Sequence, residues 1–191
     1  MELYERGNQA TAGLLNYNEE PLYDDLAISA ALPAGHSETL FLSGVTPGGK
    51  TLLDTNVKTG GQIPWPQFTV RALSVGVVAR GLVLPTPSEV QDLLMATTFN
   101  IKVDYKDHYL VPSFIIPSGY GLVTNDTATP MATNQMAYAS NLMSIPGVGL
   151  EQGKNQIEVD LKFWNGTTVI SNDRTLYLYV FLHGKGGKRV N

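Results

Sequence analysis

Residues Gln156-Ile157-Glu158-Val159-Asp160-Leu161-Lys162-Phe163-Trp164 alternate apolar and polar side chains with a period of two, and Asn165-Gly166 follows them. A period of two marks a half-buried strand, whose successive side chains point to opposite faces of a sheet. Asn-Gly is a strong hairpin signal because both residues tolerate the positive φ of a tight turn, so Thr168–Ser171 is expected to return from it. The last apolar run, Thr175–Leu182, keeps the same period: Leu176, Leu178, Val180 and Leu182 share one face, and Tyr177, Tyr179 and Phe181 share the other. With both faces apolar, one is expected to pack the core and the other to meet another layer or subunit.

Upstream, the punctuation stays that of short strands. Thr39–Ser43 is an apolar run stopped by Gly44 to Gly49, and residues 67–84 form a long apolar stretch that suits a strand changing neighbours along its length or covered on both sides. Phe99–Tyr105, Tyr109–Ile116 and Tyr120–Thr124 are further strand candidates, separated by Lys106-Asp107-His108 and Pro117-Ser118-Gly119. One helix interrupts them. Thr86-Pro87-Ser88-Glu89 supplies an N-cap threonine, a proline at the first helical position and a glutamate three residues after the cap, and Val90, Leu93 and Leu94 follow at helical spacing over about 87–95. Residues 124–154, rich in Thr, Asn, Ser, Ala, Met and Gly, are expected to form a long excursion that contacts a partner. Strands in this number, with short spacings and a single helix, predict an all-β chain: one eight-stranded antiparallel jelly roll with a short helix and an extended N-terminal arm.

Three segments follow from this: an arm over residues 1–37, the roll over 38–184 and a basic tail over 185–191. The arm is polar and broken by Gly7, Gly13, Pro21, Pro33 and Gly35, and its acidic cluster of Glu19, Glu20, Asp24 and Asp25 is expected to face solvent or a partner. The tail gathers Lys185, Lys188 and Arg189 among glycines, which suits weak contact with phosphates or an acidic neighbour, strengthened when many copies are arrayed.

Composition excludes several functions. The 191 residues contain no cysteine, so disulfide frameworks, thiolate metal sites and cysteine nucleophiles are out. A formal net charge of −4 disfavours a globally basic nucleic-acid binder. Charged residues make up 16% of the chain against roughly 25% in an ordinary soluble protein, which leaves little charged surface. The N-terminus shows no secretory pattern, and no apolar stretch approaches the roughly 20 residues of a membrane-spanning helix.

The formal motifs carry little chemistry. Gly44-Val45-Thr46-Pro47-Gly48-Gly49-Lys50-Thr51 fits the phosphate-binding loop pattern, but that mechanism needs a helix starting at Lys50-Thr51, and Gly60-Gly61 and Pro64 lie too close for one to propagate. His36, His108 and His183 are isolated and show no metal-ligand spacing. Asp104, Glu158 and Asp160 are the carboxylates open to a glycosidase role, with strand-face solvation as the plainer alternative. Trp65, between two prolines, and Trp164, beside the Asn-Gly turn, are candidate platforms for stacking sugars, or else core or interface residues.

One family carries several of these features together. Leu53-Asp54-Thr55-Asn56-Val57, then Gly60-Gly61-Gln62-Ile63-Pro64-Trp65-Pro66-Gln67-Phe68, a long strand, a short helix and Phe99-Asn100-Ile101-Lys102-Val103 resemble the jelly-roll capsid proteins of tailless icosahedral bacteriophages. The ending at Leu182-His183-Gly184 before a basic tail is similar too, so the resemblance covers about residues 38–189. It implies a non-enzymatic virion protein, without cofactor, metal or small-molecule substrate, that self-assembles into trimeric or hexameric capsomers. Other virion proteins, packaged nucleic acid and an inner membrane are the further partners it implies. Candidate assembly contacts are Tyr17, Tyr23, Trp65, Met136, Met143, Tyr177, Tyr179 and Phe181, and Lys185, Lys188 and Arg189 are the candidates for genome or acidic-partner contact. Removing residues 1–33 is expected to leave the roll folded and to impair assembly. The alternatives are a carbohydrate-binding or glycosidase jelly roll and, more remotely, a P-loop nucleotide-binding protein.

Overall fold

Among the described residues the strands are β1 (Leu15–Asn18), β2 (Leu22–Ile28), β3 (His36–Leu40), β4 (Gln67–Ala79), β5 (Thr97–Val103), β6 (Lys106–Pro112), β7 (Met143–Glu151), β8 (Ile157–Phe163) and β9 (Leu176–Arg189), with one α-helix, α1 (Pro87–Ala96), and a 3-10 turn at Ser113–Ile115. The computed structural model describes residues 15–18, 21–46, 49–80, 85–116, 143–170 and 174–189. The first sheet runs β2-β9-β4-β7, and β1 continues the β2 edge by pairing with the far end of β9. The second runs β3-β8-β5-β6, and every pairing in both sheets is antiparallel. From β2 onward the chain crosses between sheets at each step except the β5–β6 hairpin. Counting β1 and β2 as one split edge strand, this is an eight-stranded jelly roll.

The core lies between the sheets. Leu176, Leu178, Val180 and Leu182 of β9 are fully buried, as are Phe99, Val159, Leu161 and Phe163 of the second sheet. The α1 cap forms as its sequence dictates: the Thr86 side chain accepts from the Glu89 N–H, and the Glu89 carboxylate accepts from the Thr86 N–H at 2.8 Å. Glu89 is itself buried and held by Arg174 at 2.8 Å.

Several expectations are corrected. Residues 22–28 are an edge strand of the first sheet, with Leu22 and Ile28 in the core, so the arm does not extend to residue 37 and a truncation through residue 33 would remove β2. The excursion expected over 124–154 contains β7 from Met143 onward. Asn165-Gly166 makes no hairpin: Gly166, at φ +69°, lies against the chain at Leu32 to Ala34, Thr167 donates to the Leu32 carbonyl, and residues 164–170 form no strand. The β5–β6 turn falls at Asp104-Tyr105 rather than at 106–108. Both residues adopt positive φ, and the Asp104 carboxylate supports the turn by accepting from the Gln156 N–H at 2.9 Å and the Asn155 amide at 2.7 Å. The strand expected at Tyr120–Thr124 lies outside the described residues.

The expected flexible tail is also corrected, because residues 185–189 continue β9 and pair with β1 and β4. Its glycines fit close approach. A Cβ on Gly184 would stand 2.0 Å from the Thr69 carbonyl, and one on Gly186 would stand 3.0 Å from the Trp65 ring.

Candidate assembly surface

The outer face of the first sheet carries a column of rings. Along β9, Tyr177, Tyr179, Phe181 and His183 all point away from the core, since they alternate with the buried Leu176, Leu178, Val180 and Leu182. Tyr179 stacks on Phe181 at 5.7 Å, Phe181 meets His183 at 6.3 Å, and Tyr23 of β2 approaches Phe181 at 6.2 Å. Small residues of β4 lie beside the rings, Ser74 opposite Phe181 and Gly76 opposite Tyr179. Ser74 bonds the His183 imidazole at 2.7 Å, and burial pushes the His183 pKa down. Tyr23, Tyr177, Tyr179 and Phe181 are therefore brought together, each about half-buried.

At one end of this column a charged clasp ties the sheet to residues 50–57. Lys50 Nζ donates to Asp24 at 2.6 Å and to the Asp25 carbonyl at 2.7 Å. Arg80 lies 3.9 Å over the Tyr177 ring, donates to Asp25 at 2.7 Å, and also bonds Asp54 and the Tyr179 hydroxyl. Burial drives the pKa values of both Asp24 and Asp25 upward, that of Asp25 to about 6, against the opposing pull of Lys50. Burial also acts to raise Asp54, but the Thr51 amide and hydroxyl together with Arg80 outweigh it and hold Asp54 at about 2. Three carboxylates facing two cations leave one surplus negative charge. For Asp24 and Asp25 this corrects the expectation that the acidic cluster faces solvent or a partner, since both are buried inside the clasp, while Glu19 and Glu20 lie outside the described residues.

The clasp also engages the end of the loop before it. Lys50 is turned to Asp24 and Asp25, Thr51 bonds Asp54 through its hydroxyl at 2.7 Å, and residues 51–54 make a single turn rather than a helix. No helix N-terminus is available there for phosphate. Asn56 finishes the β2 edge: its side chain accepts from the Tyr23 N–H at 2.9 Å and donates to the Pro21 carbonyl at 2.8 Å.

The remaining candidates scatter. Trp65 is 5% exposed and stacks on Phe68 at 5.0 Å, so it is a core residue and neither an assembly contact nor a sugar platform in the single chain. Met143 is partly buried, packing against the core opposite Leu73. Lys185 pairs in register with Thr69, while Tyr17, Lys188 and Arg189 are placed by their backbones in β1 and β9. Met136 lies outside the described residues. Asp160 bonds Thr39 at 2.7 Å and Lys102 at 2.5 Å, Asp104 supports its turn, and Glu158 accepts from Gln156 at 2.8 Å. Each of these three carboxylates has a structural role. Among the described residues no cluster of His, Asp and Glu is arranged to hold a metal ion.

Sequence reasoning missed Arg80 and the exposed pair Leu52-Leu53. The only signal was two adjacent leucines inside a turn-rich, otherwise polar stretch. No family model matches the chain, and neither the curated proteins nor the solved structures hold a match to it.

Proposed function

We propose that this chain is a structural coat protein of a virion, whose jelly rolls pack side by side in trimeric or hexameric capsomers. The observation that carries this is the ring column of Tyr23, Tyr177, Tyr179 and Phe181 on the outside of the first sheet. A half-buried aromatic strip on a sheet face suits a surface covered by a second subunit. The alternation of β9 supports the same reading, since Leu176, Leu178, Val180 and Leu182 face the core and the aromatics stand on the outer face. The carbohydrate-binding reading loses Trp65, which is enclosed, and retains Trp164 and the exposed tyrosines such as Tyr105. The test is the assembly state of the purified protein at micromolar concentration, by light scattering coupled to size exclusion. Discrete trimers, hexamers or shells are expected, and a strict monomer overturns the proposal.

A further inference from the structure

The β5–β6 ladder departs from regular pairing at one place, and the departure borders a cavity. Ile101 stands opposite Tyr109 and Lys102 opposite Asp107, so His108 is an extra residue in β6, a β-bulge. Strict alternation would set His108 and Tyr109 on opposite faces of the sheet. With the bulge, both line one cavity of about 570 Å³ between β6 and β7, the edge strands of the two sheets.

Lys106 joins them at the hairpin end, opposite the core residue Val103. Among the described residues the side chains of Lys106, His108 and Tyr109 make no hydrogen bond, so their polar atoms are open to a ligand. Asp104 lines the same cavity. Its carboxylate accepts from the Gln156 N–H at 2.9 Å and the Asn155 amide at 2.7 Å, and these donors hold it below the usual carboxylate range. Each of its oxygens keeps acceptor capacity beyond these bonds.

The opposite wall is Pro146, Gly147, Val148 and Gly149 of β7. A Cβ on Gly149 would meet nothing within 4 Å, and one on Gly147 would make an ordinary contact with the Thr69 side chain at 3.5 Å. Packing therefore requires neither glycine. Their effect is to keep the cavity wide and the β7 backbone within reach of a bound molecule.

The chemistry of the lining selects the ligand. Lys106 and Asp104 offset each other, and an anion would meet the Asp104 carboxylate, so net charge is not what the cavity reads. It presents donors at Lys106 and the Tyr109 hydroxyl, an acceptor at Asp104 and, at His108, ring nitrogens that serve as either. Hydroxyl groups both donate and accept, and a lining of this mixture matches several of them on one small molecule. Tyr109, Pro146 and Val148 add apolar surface for its C–H face, and the volume falls within the roughly 300–1,000 Å³ of small-ligand sites. We propose that the cleft between β6 and β7 binds a neutral saccharide. This does not rest on the coat-protein reading, because β4 separates β7 from the ring column on β9.

The test is saturation-transfer NMR on the full chain with glucose, galactose, mannose and N-acetylglucosamine, each at up to tens of millimolar. The method reads the protons of the sugar, so it serves a monomer and an assembled shell alike. Transfer to at least one of the four is expected. Lys106→Ala/His108→Ala is expected to weaken that binding by about tenfold, and Gly149→Val, which fills the cavity from the other wall, to abolish it. Lys106 and His108 are exposed and Gly149 meets open space, so both variants are expected to melt as the wild type does. Trp164→Ala, on the second sheet away from the cavity lining, is expected to leave binding unchanged. Transfer to none of the four sugars overturns the proposal, and so does transfer that survives both cavity variants or is lost in Trp164→Ala.

Discussion

Asp25 sits between Arg80 at 2.7 Å and Lys50 at 3.8 Å with 4% of its side chain exposed, so its charge is both paired and starved of water. The starvation wins, and its pKa rises to about 6 from an ordinary value of 3.8. Between those two values the folded chain holds a proton that the unfolded chain has released, so stability falls as pH rises through that window. Asp54 has the opposite sign: held at about 2, it stabilises the fold above its ordinary 3.8 and loses that contribution only as pH falls toward 2. Urea unfolding across the acid range is expected to show wild-type stability declining between pH about 4 and 6, with a flatter slope in Asp25→Asn. An unchanged slope in that variant would assign the proton elsewhere. Close approach governs the glycines in the same local way. Gly184→Ala drives a Cβ to 2.0 Å from the Thr69 carbonyl and is expected to cost about 1–3 kcal/mol, whereas Gly149→Ala meets open space and is expected to stay within about 0.5 kcal/mol. Equilibrium denaturation of the two variants separates a packed β9 end from a loose tail. None of this was legible in the sequence, because Gly184 and Gly186 read as flexibility until Trp65, Phe68 and Thr69 are seen lying against them.

Elements whose signals are local were legible. The capping box of α1, the alternation of β8 and the two faces of β9 depend on residues a few positions apart, and each formed where its pattern lies. Elements whose signals are distant were not. Polar β2 reads as arm because Asp24 and Asp25 look solvated, and only Lys50 and Arg80, 25 and 55 residues away from Asp25, reveal them as inward-held charges. The Asn165-Gly166 turn failed as a hairpin for a similar reason: its neighbour is the chain at Leu32, paired through Thr167. The element scale therefore sets where the chain tolerates cutting. Removal of residues 1–20 deletes β1 and leaves β2 to β9 intact, and it is expected to retain a cooperative melt. Removal of residues 1–33 strips β2 from β9, deprives Lys50 and Arg80 of Asp24 and Asp25, and is expected to abolish that melt. A cooperative transition in the longer deletion would show that β2 is dispensable to the roll. The ring column was partly legible, since Tyr177, Tyr179 and Phe181 share one strand face, whereas its continuation through Tyr23 and the Arg80 clasp required the β2–β9 register.

At the scale of the whole molecule, the first and last parts of the chain are neighbours. Leu22 pairs with Leu182, and β9 lies between β2 and β4 in the first sheet. Because β9 lies inside the first sheet and lines the core, that sheet is incomplete without it, and the two sheets are expected to unfold together. The two tryptophans report on this from different places. Trp65 stacks on Phe68 with Gly186 of β9 against it, and Trp164 is 53% exposed on the second sheet. A Trp164→Phe variant isolates Trp65, whose emission is expected to shift to the red at the same urea concentration at which far-ultraviolet dichroism is lost. Coincident transitions mean that the β9 end unlocks only when the second sheet also melts. A Trp65 transition at lower urea would mean that residues 183–189 peel away as a separate unit, leaving a roll held by β9 residues 176–182 alone.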